Sequence, residues 1–313
     1  MALEVGSVTW AGLAAGLATA LLWGGSALTW GLAGRRIGAL AVNCLRLTLA
    51  LAIMAAARWI FGRGPWPMDV PGEQLALLLL SGAVGAGVAD MCYFHGLVVI
   101  GPRLGTLIMS AAPIFAAAAA YLTPMREVLS AQAVVGIVLT VAGVAWVVSD
   151  HSRAGAWKAP AGSSFALGVG LTIFATVLVG LGMAMSRWGM LPLADGRRVT
   201  PFDGTMLRLV AAGVITWGYT LGIRRLREVG RAVADRRSMG IVVIGTVIGP
   251  VVGIWLSMVS LDLLPAGVAS ALIATSPVFM IPIAYIAYRD RPSLRSLAGT
   301  LLAVVGLAVM VAR

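Results

Sequence analysis

Four ionisable residues lie well inside long apolar stretches of the sequence, and their side chains could do chemistry there. They are Arg46, Asp90, His95 and Arg208. An ionisable side chain inside a membrane is costly unless it is paired or faces water, so such residues usually mark a polar pathway. The sequence therefore indicates a polar site enclosed by apolar segments.

Arg46 and Arg208 occupy matching places in the two halves of the chain. Each lies about seven residues into its apolar stretch, roughly 10 Å of helix, from where an arginine can still reach the membrane surface. One interpretation is that each anchors its helix to headgroups or to carbonyl groups. The other is that the two form cationic walls for an anionic or carboxylate-bearing solute. Asn43 and Thr205, one turn earlier on the same faces, favour a polar lining.

Asp90 and Tyr93 are three residues apart and so share a helix face, whereas His95 points elsewhere. A lone carboxyl group in an apolar span can take up and release a proton, which is what a proton-coupling site needs. An ion pair with Arg46 or Arg208 would instead keep Asp90 charged. Both interpretations stay open, and His95 is interpreted as a hydrogen-bonded packing residue.

Tryptophan and serine residues extend the candidate lining. Trp23 and Trp255 lie deeper in their apolar stretches than tryptophans that anchor at the interface. Ser110 and Ser276 stand just before Pro113 and Pro277. Proline has no backbone N–H and so removes a helical hydrogen bond, and a serine hydroxyl can donate to the carbonyl group left free. The full candidate set is Trp23, Asn43, Arg46, Tyr93, Ser110, Thr205, Arg208, Trp255 and Ser276 for the solute, with Asp90 for the coupling proton.

The elements that must position these residues are membrane-spanning helices. The chain of 313 residues is 60% hydrophobic and 11% charged, with a mean hydropathy of +0.96. Backbone groups in lipid must bond within their own segment, so apolar stretches of this length are helices and not barrel strands. Ten segments qualify: 8–32, 39–61, 74–98, 102–123, 129–149, 163–186, 202–223, 239–261, 265–288 and 295–312.

The two halves of the chain resemble each other. Leu104–Phe115 is echoed by Val268–Phe279, and Leu45-Arg46-Leu47 by Leu207-Arg208-Leu209. Five spans per half is an odd number, so the second repeat enters the membrane from the opposite side. The prediction is an all-α polytopic protein of ten helices in two inverted five-helix repeats, residues 1–150 and 163–313, forming one compact membrane domain. Inverted repeats with a site between them are typical of secondary transporters.

Several classes of function have no support in the sequence. It contains no nucleotide-binding, zinc-protease or serine-hydrolase motif. Cys44 and Cys92 lie in apolar stretches and indicate neither a disulfide nor a metal site. The net charge of +11 is spread between apolar segments, which argues against a nucleic-acid surface. We therefore expect no enzyme activity, no metal or cofactor, no ATPase subunit and no nucleic-acid partner. The expected partners are the lipid bilayer and a small-molecule solute, with the protein itself monomeric.

The whole chain resembles the drug/metabolite transporter superfamily, of the ten-span EamA type. The resemblance is carried by Leu22-Trp23-Gly24, the two Leu-Arg-Leu motifs, Pro113 with Pro277, Glu127 with Asp290, and Gly136–Gly143 with Gly299–Gly306. Trp23-Gly24 has no clean copy in the sixth span. The resemblance implies export or exchange of small metabolites or drugs through a central cavity, driven by an ion or substrate gradient.

We therefore expect secondary active transport by alternating access, with export favoured, of small organic solutes that are amino-acid-like or drug-like. The alternative is a passive pore, which would need a polar stripe continuing along several helices. The sparse, clustered polar residues of this chain argue against such a stripe.

The orientation follows from the distribution of basic residues between the loops. One face carries twice as many Arg and Lys as the other, largely because of six arginines at 224–237. The positive-inside rule places that face in the cytoplasm and both termini outside, in the plasma (inner) membrane. The resemblance implies the opposite, with both termini inside.

Overall fold

The computed structural model describes residues 9–67, 69–149, 164–279 and 294–311. Within them all regular structure is helical. In chain order the α-helices are α1 (Trp10–Ile37), α2 (Ala39–Ile60), α3 (Gly72–Gly82), α4 (Ala89–Met109), α5 (Ala112–Leu122), α6 (Ala131–Ser149), α7 (Phe165–Met190), α8 (Pro201–Gly222), α9 (Leu226–Ala234), α10 (Arg236–Thr246), α11 (Ile254–Leu263), α12 (Ala266–Ile273) and α13 (Leu294–Val311). Two π-helical segments join them, π1 (Ala83–Val88) and π2 (Val247–Gly253).

Several of these helices are long and apolar enough to cross a membrane. Among the residues described, four continuous helical segments meet the criteria of length, apolar composition and few charges: Ala39–Ile60, Gly72–Gly96, Phe165–Met190 and Arg236–Leu263. The second runs from α3 through π1 into α4, and the fourth comprises α10, π2 and α11. Helix α8 passes the same test together with α9, although the two are bent by 111°. Shorter apolar helices cover Ala112–Leu122, Ala131–Val147, Ala266–Phe279 and Leu297–Val309. The predicted all-α polytopic membrane architecture is confirmed.

The two halves share their irregularities as well as their helices. A π-helical turn follows α3 in the first half and α10 in the second. A two-residue turn at 110–111 precedes Pro113, and another at 274–275 precedes Pro277. A π-helical turn is tolerated where glycine or proline weakens the regular α-helical hydrogen bonding, as at Pro250 inside π2. The matching positions support the predicted two-repeat organisation.

One predicted boundary differs from the structure. The predicted spans 74–98 and 102–123 place a break between residues 98 and 102, but the backbone of α4 stays helical through them to Met109. The helix is interrupted instead at Ser110 and Ala111. Pro113 then lies in the first turn of α5, where a missing backbone N–H costs nothing.

The repeats pack against each other through several helix pairs, among them α6 with α13, and one helix of each repeat lies against most of the other. Helix α1 packs against α10, π2, α11 and α12 of the second half, and α7 packs against α3, π1, α4 and α5 of the first. Glycines allow these close approaches: a Cβ on Gly85 would lie 2.9 Å from the Cα of Gly182, and one on Gly253 would lie 2.8 Å from the ring of Trp23. The helices that carry Arg46, Asp90 and Arg208 are thereby held around the contact between the repeats.

Parts of some predictions lie outside the described residues. These are residue 8 of the first predicted span, residue 163 of the sixth, the end of the ninth beyond residue 279, residue 312 of the tenth, and Asp290.

Candidate functional site

The centre of the candidate site is an ion pair between two helices of the first half. Nη2 of Arg46 on α2 donates to Oδ2 of Asp90 on α4. Nε of the same arginine donates to Oδ1 of Asn43 at 2.7 Å. Nδ2 of Asn43 donates in turn to Oγ1 of Thr216 on α8, at 3.5 Å. Three of the predicted residues therefore form one connected chain, and it reaches into the second half.

This ion pair is partly exposed within the helix bundle. The Asp90 side chain is 27% exposed and the Arg46 side chain 12% exposed. Charged groups inside a membrane protein are stable where they are paired or face water and not lipid. The pairing and the partial exposure together fit a polar, water-accessible position.

Aromatic rings surround the guanidinium of Arg46. Its Cζ lies 5.7 Å from the ring centroid of Trp30 on α1 and 5.8 Å from that of Phe94 on α4. Tyr93, one turn after Asp90, is half-buried and lies with its ring centroid 6.1 Å from that of Phe94. Rings at these distances attract a cation through their faces. The arrangement holds the guanidinium in place while leaving the ion pair accessible.

Arg208 has a different environment from Arg46. Its Nη1 donates to Oγ of Ser81 at 3.0 Å, to the carbonyl of Gly182 at 3.0 Å and to Oγ of Ser186. Its buried Nε has no hydrogen-bond partner, and no carboxylate lies within ion-pair distance among the residues that the structure describes. These contacts tie α8 to α3 and α7, which favours the anchoring interpretation for this arginine. Its role in solute binding stays a prediction.

The hydroxyl groups of the predicted set bond mainly within their own helices. Oγ1 of Thr205 donates to the carbonyl of Pro201 at 2.7 Å, and Oγ of Ser276 donates to that of Ile273 at 2.7 Å. Ser110 is buried in the turn between α4 and α5. Thr205 and Ser276 thus satisfy backbone groups, and the described contacts do not connect them to the Arg46–Asp90 pair.

The two predicted tryptophans also have unequal positions. Trp23 is half-buried on α1 and packs over Gly253 of π2, at the contact between the repeats. Trp255 leaves 38% of its surface exposed and meets Phe202 edge to face, with the centroids 6.5 Å apart. The position of Trp23 favours a cavity wall more than that of Trp255 does.

Sequence reasoning missed Trp30, Phe94 and Thr216 as neighbours of the pair. Phe94 lies one helical turn after Asp90, and Trp30 two turns after Trp23. Those spacings were the only available signal. Which aromatic residue of α1 meets α2 depends on how the two helices cross.

A second buried ion pair joins the repeats at one end of the bundle. Glu127, 3% exposed, accepts from Nε of Arg187 on α7. Its Oε2 also accepts from the backbone N–H of Ala266 at 2.8 Å, at the start of α12. Nη1 of Arg187 donates to the carbonyl groups of Leu261, at 2.7 Å, and Asp262, at 3.2 Å. The acidic residue implied by the family resemblance therefore links four helices.

A further ion pair lies at the same end. Nε of Arg58, at the end of α2, donates to Oδ1 of Asp203 at the start of α8, at 2.9 Å. Nη1 of Arg58 also donates to the carbonyl groups of Gly64 and Trp66, each at 2.9 Å. We call this end of the bundle, defined by Arg58, Glu127, Arg187, Asp203 and Asp262, the paired end.

No cluster of three or more potential metal ligands occurs among the residues described. At the Arg46–Asp90 pair, a carboxylate and a guanidinium are in contact and partly exposed, and each can exchange partners.

Comparison with known proteins agrees with this architecture. The model of the EamA-like transporter family matches residues 10–149 and again residues 166–312. A protein of known crystal structure is similar in fold, with a TM-score of 0.70 over 97% of this chain and 96% of its own, at 21% sequence identity. No curated protein matches the sequence significantly. Since the family model matches both halves of the sequence, the chain belongs to the EamA-like transporter family.

Proposed function

We propose that this membrane transporter is a secondary active exporter that moves small organic solutes by alternating access. The observation that carries the proposal is the Arg46–Asp90 pair, buried among the helices yet partly accessible to water. A buried ion pair is a poor source of stability, because two charges must be taken out of water to form it. A partly exposed pair inside the bundle is better explained as a site whose charges change partners during transport.

The pair fits a solute that carries both charges, such as an amino-acid-like molecule. The solute carboxylate binds the guanidinium of Arg46, which can donate two parallel hydrogen bonds to it. The solute ammonium group binds the carboxylate of Asp90. The rings of Trp30 and Phe94 keep the guanidinium in place while its partner changes.

Asp90 is the group proposed to couple transport to protons. A proton on Asp90 removes the negative charge that holds the solute ammonium, so proton and solute occupy the site in turn. Alternating occupancy is what an exporter driven by entering protons requires.

The remaining predicted residues form the wider lining in this proposal. Asn43 contacts Arg46 directly, Tyr93 lies one turn after Asp90, and Trp23 lies at the contact between the repeats. The other proposed solute contacts are Ser110, Thr205, Arg208, Trp255 and Ser276.

The decisive experiment measures transport by Asp90→Asn in proteoliposomes. We expect the variant to lose gradient-driven accumulation of solute but to retain downhill exchange, because the binding wall survives and only the titrating group is lost. The matched control is Asp262→Asn, which removes an acid at the paired end. Uphill transport by Asp90→Asn at the wild-type level would refute the coupling role.

The arginines are tested by a second pair of variants. Arg46→Ala should weaken solute binding, whereas Arg208→Ala should lower abundance without changing solute affinity if it only anchors α8. Unchanged solute affinity in Arg46→Ala would contradict solute binding by Arg46 and favour the anchoring interpretation.

A passive pore is distinguished by the energy requirement. Accumulation against a gradient that an uncoupler abolishes is expected of a transporter, whereas a pore would equilibrate the solute under both conditions.

We also propose the plasma membrane as the location, with both termini outside, on the basis of the loop charges. A C-terminal fluorescent-protein fusion should then stay dark in cells, because that reporter matures poorly outside. A bright fusion would reverse the orientation.

A further inference from the structure

Helix α9 lies across the end of the bundle and not along it. It follows α8 after a bend of 111°, made at Arg224, whose φ of 56° is left-handed. Its inner face is buried, with Val229 4% and Ala232 3% exposed. These two residues belong to an apolar cluster that includes Ala41 and Val42 at the start of α2. Since a span begins at the membrane boundary, α9 lies at that boundary.

One edge of α9 is apolar and exposed. Leu226 is 43% and Val233 is 52% exposed, and their seven-residue spacing places them on the same side of the helix. The neighbouring spans also expose large apolar side chains, among them Leu221 on α8 and Ile244 on α10. Exposed apolar residues on membrane spans face lipid. The apolar edge of α9 therefore extends the lipid-facing surface to the boundary.

The opposite face of α9 is basic and largely unpaired. Arg227 and Arg231 are exposed and lie one turn apart on the same face. Neither has an ion pair or hydrogen bond with another described residue. The two acids of the segment are already engaged, Glu228 with Arg225 at 3.5 Å and Asp235 with Arg36 at 3.3 Å. The exposed arginines of residues 224–237 are Arg224, Arg225, Arg227, Arg231, Arg236 and Arg237.

We propose that α9 is an interfacial helix whose Arg227 and Arg231 bind the headgroup of an anionic phospholipid. An amphipathic helix with a basic face and an apolar edge lies in the plane of the interface. Guanidinium groups match the geometry of phosphate oxygens and bind them through paired hydrogen bonds. A face that was merely hydrated would need no exposed apolar edge, and a partner approaching from water would not explain its place at the membrane boundary.

The test compares lipid binding by native mass spectrometry of the purified protein in detergent. The probes are phosphatidylglycerol and phosphatidylcholine, which differ in headgroup charge. Each arginine near an anionic surface contributes about fivefold in affinity. We therefore expect Arg227→Gln/Arg231→Gln to lose about 30-fold in affinity for phosphatidylglycerol and little for phosphatidylcholine. Added salt should weaken phosphatidylglycerol binding in the wild type more than in the variant.

The matched control is Arg63→Gln. Arg63 is also exposed, but it follows the other end of α2 and lies at the paired end of the bundle. Unchanged phosphatidylglycerol affinity in the double variant would overturn the proposal. So would an equal loss for phosphatidylcholine, or an equal loss in Arg63→Gln. This outcome is independent of whether the solute site works as proposed, because no transport is measured.

Discussion

The two ends of the helix bundle hold the repeats together in different ways. At the paired end, Arg58–Asp203 and Glu127–Arg187 join the repeats, and each of the four side chains is less than 15% exposed. At the other end, which we call the α9 end, the described ion pair between the repeats is Arg36–Asp235, with side chains 46% and 29% exposed. One end is closed by desolvated charges and the other by a solvated contact.

The difference matters because the stability lost on breaking an ion pair depends on how far its charges are removed from water. Removing one partner of a buried pair leaves an uncompensated charge inside the protein. Breaking an exposed pair lets both charges return to water at little cost. Single substitutions that break an ion pair at the paired end are therefore expected to cost more stability than those at the α9 end.

The largest effect is expected from Glu127→Gln. The substitution leaves the Arg187 charge buried without its partner and weakens the cap on α12, so we expect the free energy of unfolding to fall by about 3–5 kcal/mol. Denaturant unfolding in detergent measures it. The control Glu127→Gln/Arg187→Met should recover part of the loss, because both charges are then gone. A double variant as unstable as the sum of the two single variants would contradict a direct coupling.

A smaller loss is expected from Arg58→Gln. Asp203 keeps the hydroxyl of Thr200, which donates to its Oδ2 at 2.9 Å, so its charge is not left without a partner. The carbonyl groups of Gly64 and Trp66 lose their donor, and we expect a decrease of about 1–3 kcal/mol in the free energy of unfolding. Limited proteolysis should also show faster cleavage between residues 61 and 67. Unchanged cleavage there would show that Arg58 does not hold this loop.

The smallest effect is expected at the α9 end, from Asp235→Asn. Hydrogen bonds from the side chain and backbone of Ser238 hold the pKa of Asp235 below its ordinary value. A carboxyl group with a lowered folded-state pKa stabilises the protein above its ordinary pKa, and that contribution is lost only as the pH falls through the lowered value.

Titration of Asp235 should therefore not change the melting temperature of the wild type between pH about 8 and about 5. Asp235→Asn should melt slightly below the wild type by a constant amount across that range, because asparagine still caps α10 but the charge is lost. Thermal unfolding measures the difference. A variant that loses as much stability as Glu127→Gln would remove the contrast between the two ends.

Much of the candidate site could be predicted from the sequence, because charged residues are rare inside apolar spans. Arg46, Asp90 and Arg208 stood out for that reason alone. The choice between an ion pair and a lone acid at Asp90 could not be made from the sequence, since it depends on whether α2 and α4 bring the two side chains together. The structure shows the ion pair with Arg46.

Arg46 and Arg208 illustrate the limit most clearly. Their positions in the repeats are equivalent, yet one has a carboxylate partner and the other has hydroxyl and carbonyl partners. Repeat alignment from Pro113 and Pro277 places Ile254 opposite Asp90. The second half therefore lacks the acid that would make the two sites alike. Ser81 and Ser186, which bind Arg208 instead, come from two other helices, and no local pattern identified them.

The sequence by itself determined that the chain is an all-helical membrane protein made of two similar halves. The cost of moving a segment into lipid depends on the composition of that segment, and a duplication leaves matching residues at matching positions. Only the tertiary structure decided which charges meet, which end of the bundle is closed and where α9 lies. Those outcomes depend on contacts between residues far apart in the chain, such as Glu127 with Arg187 and Arg36 with Asp235, and such contacts exist only once the helices have packed.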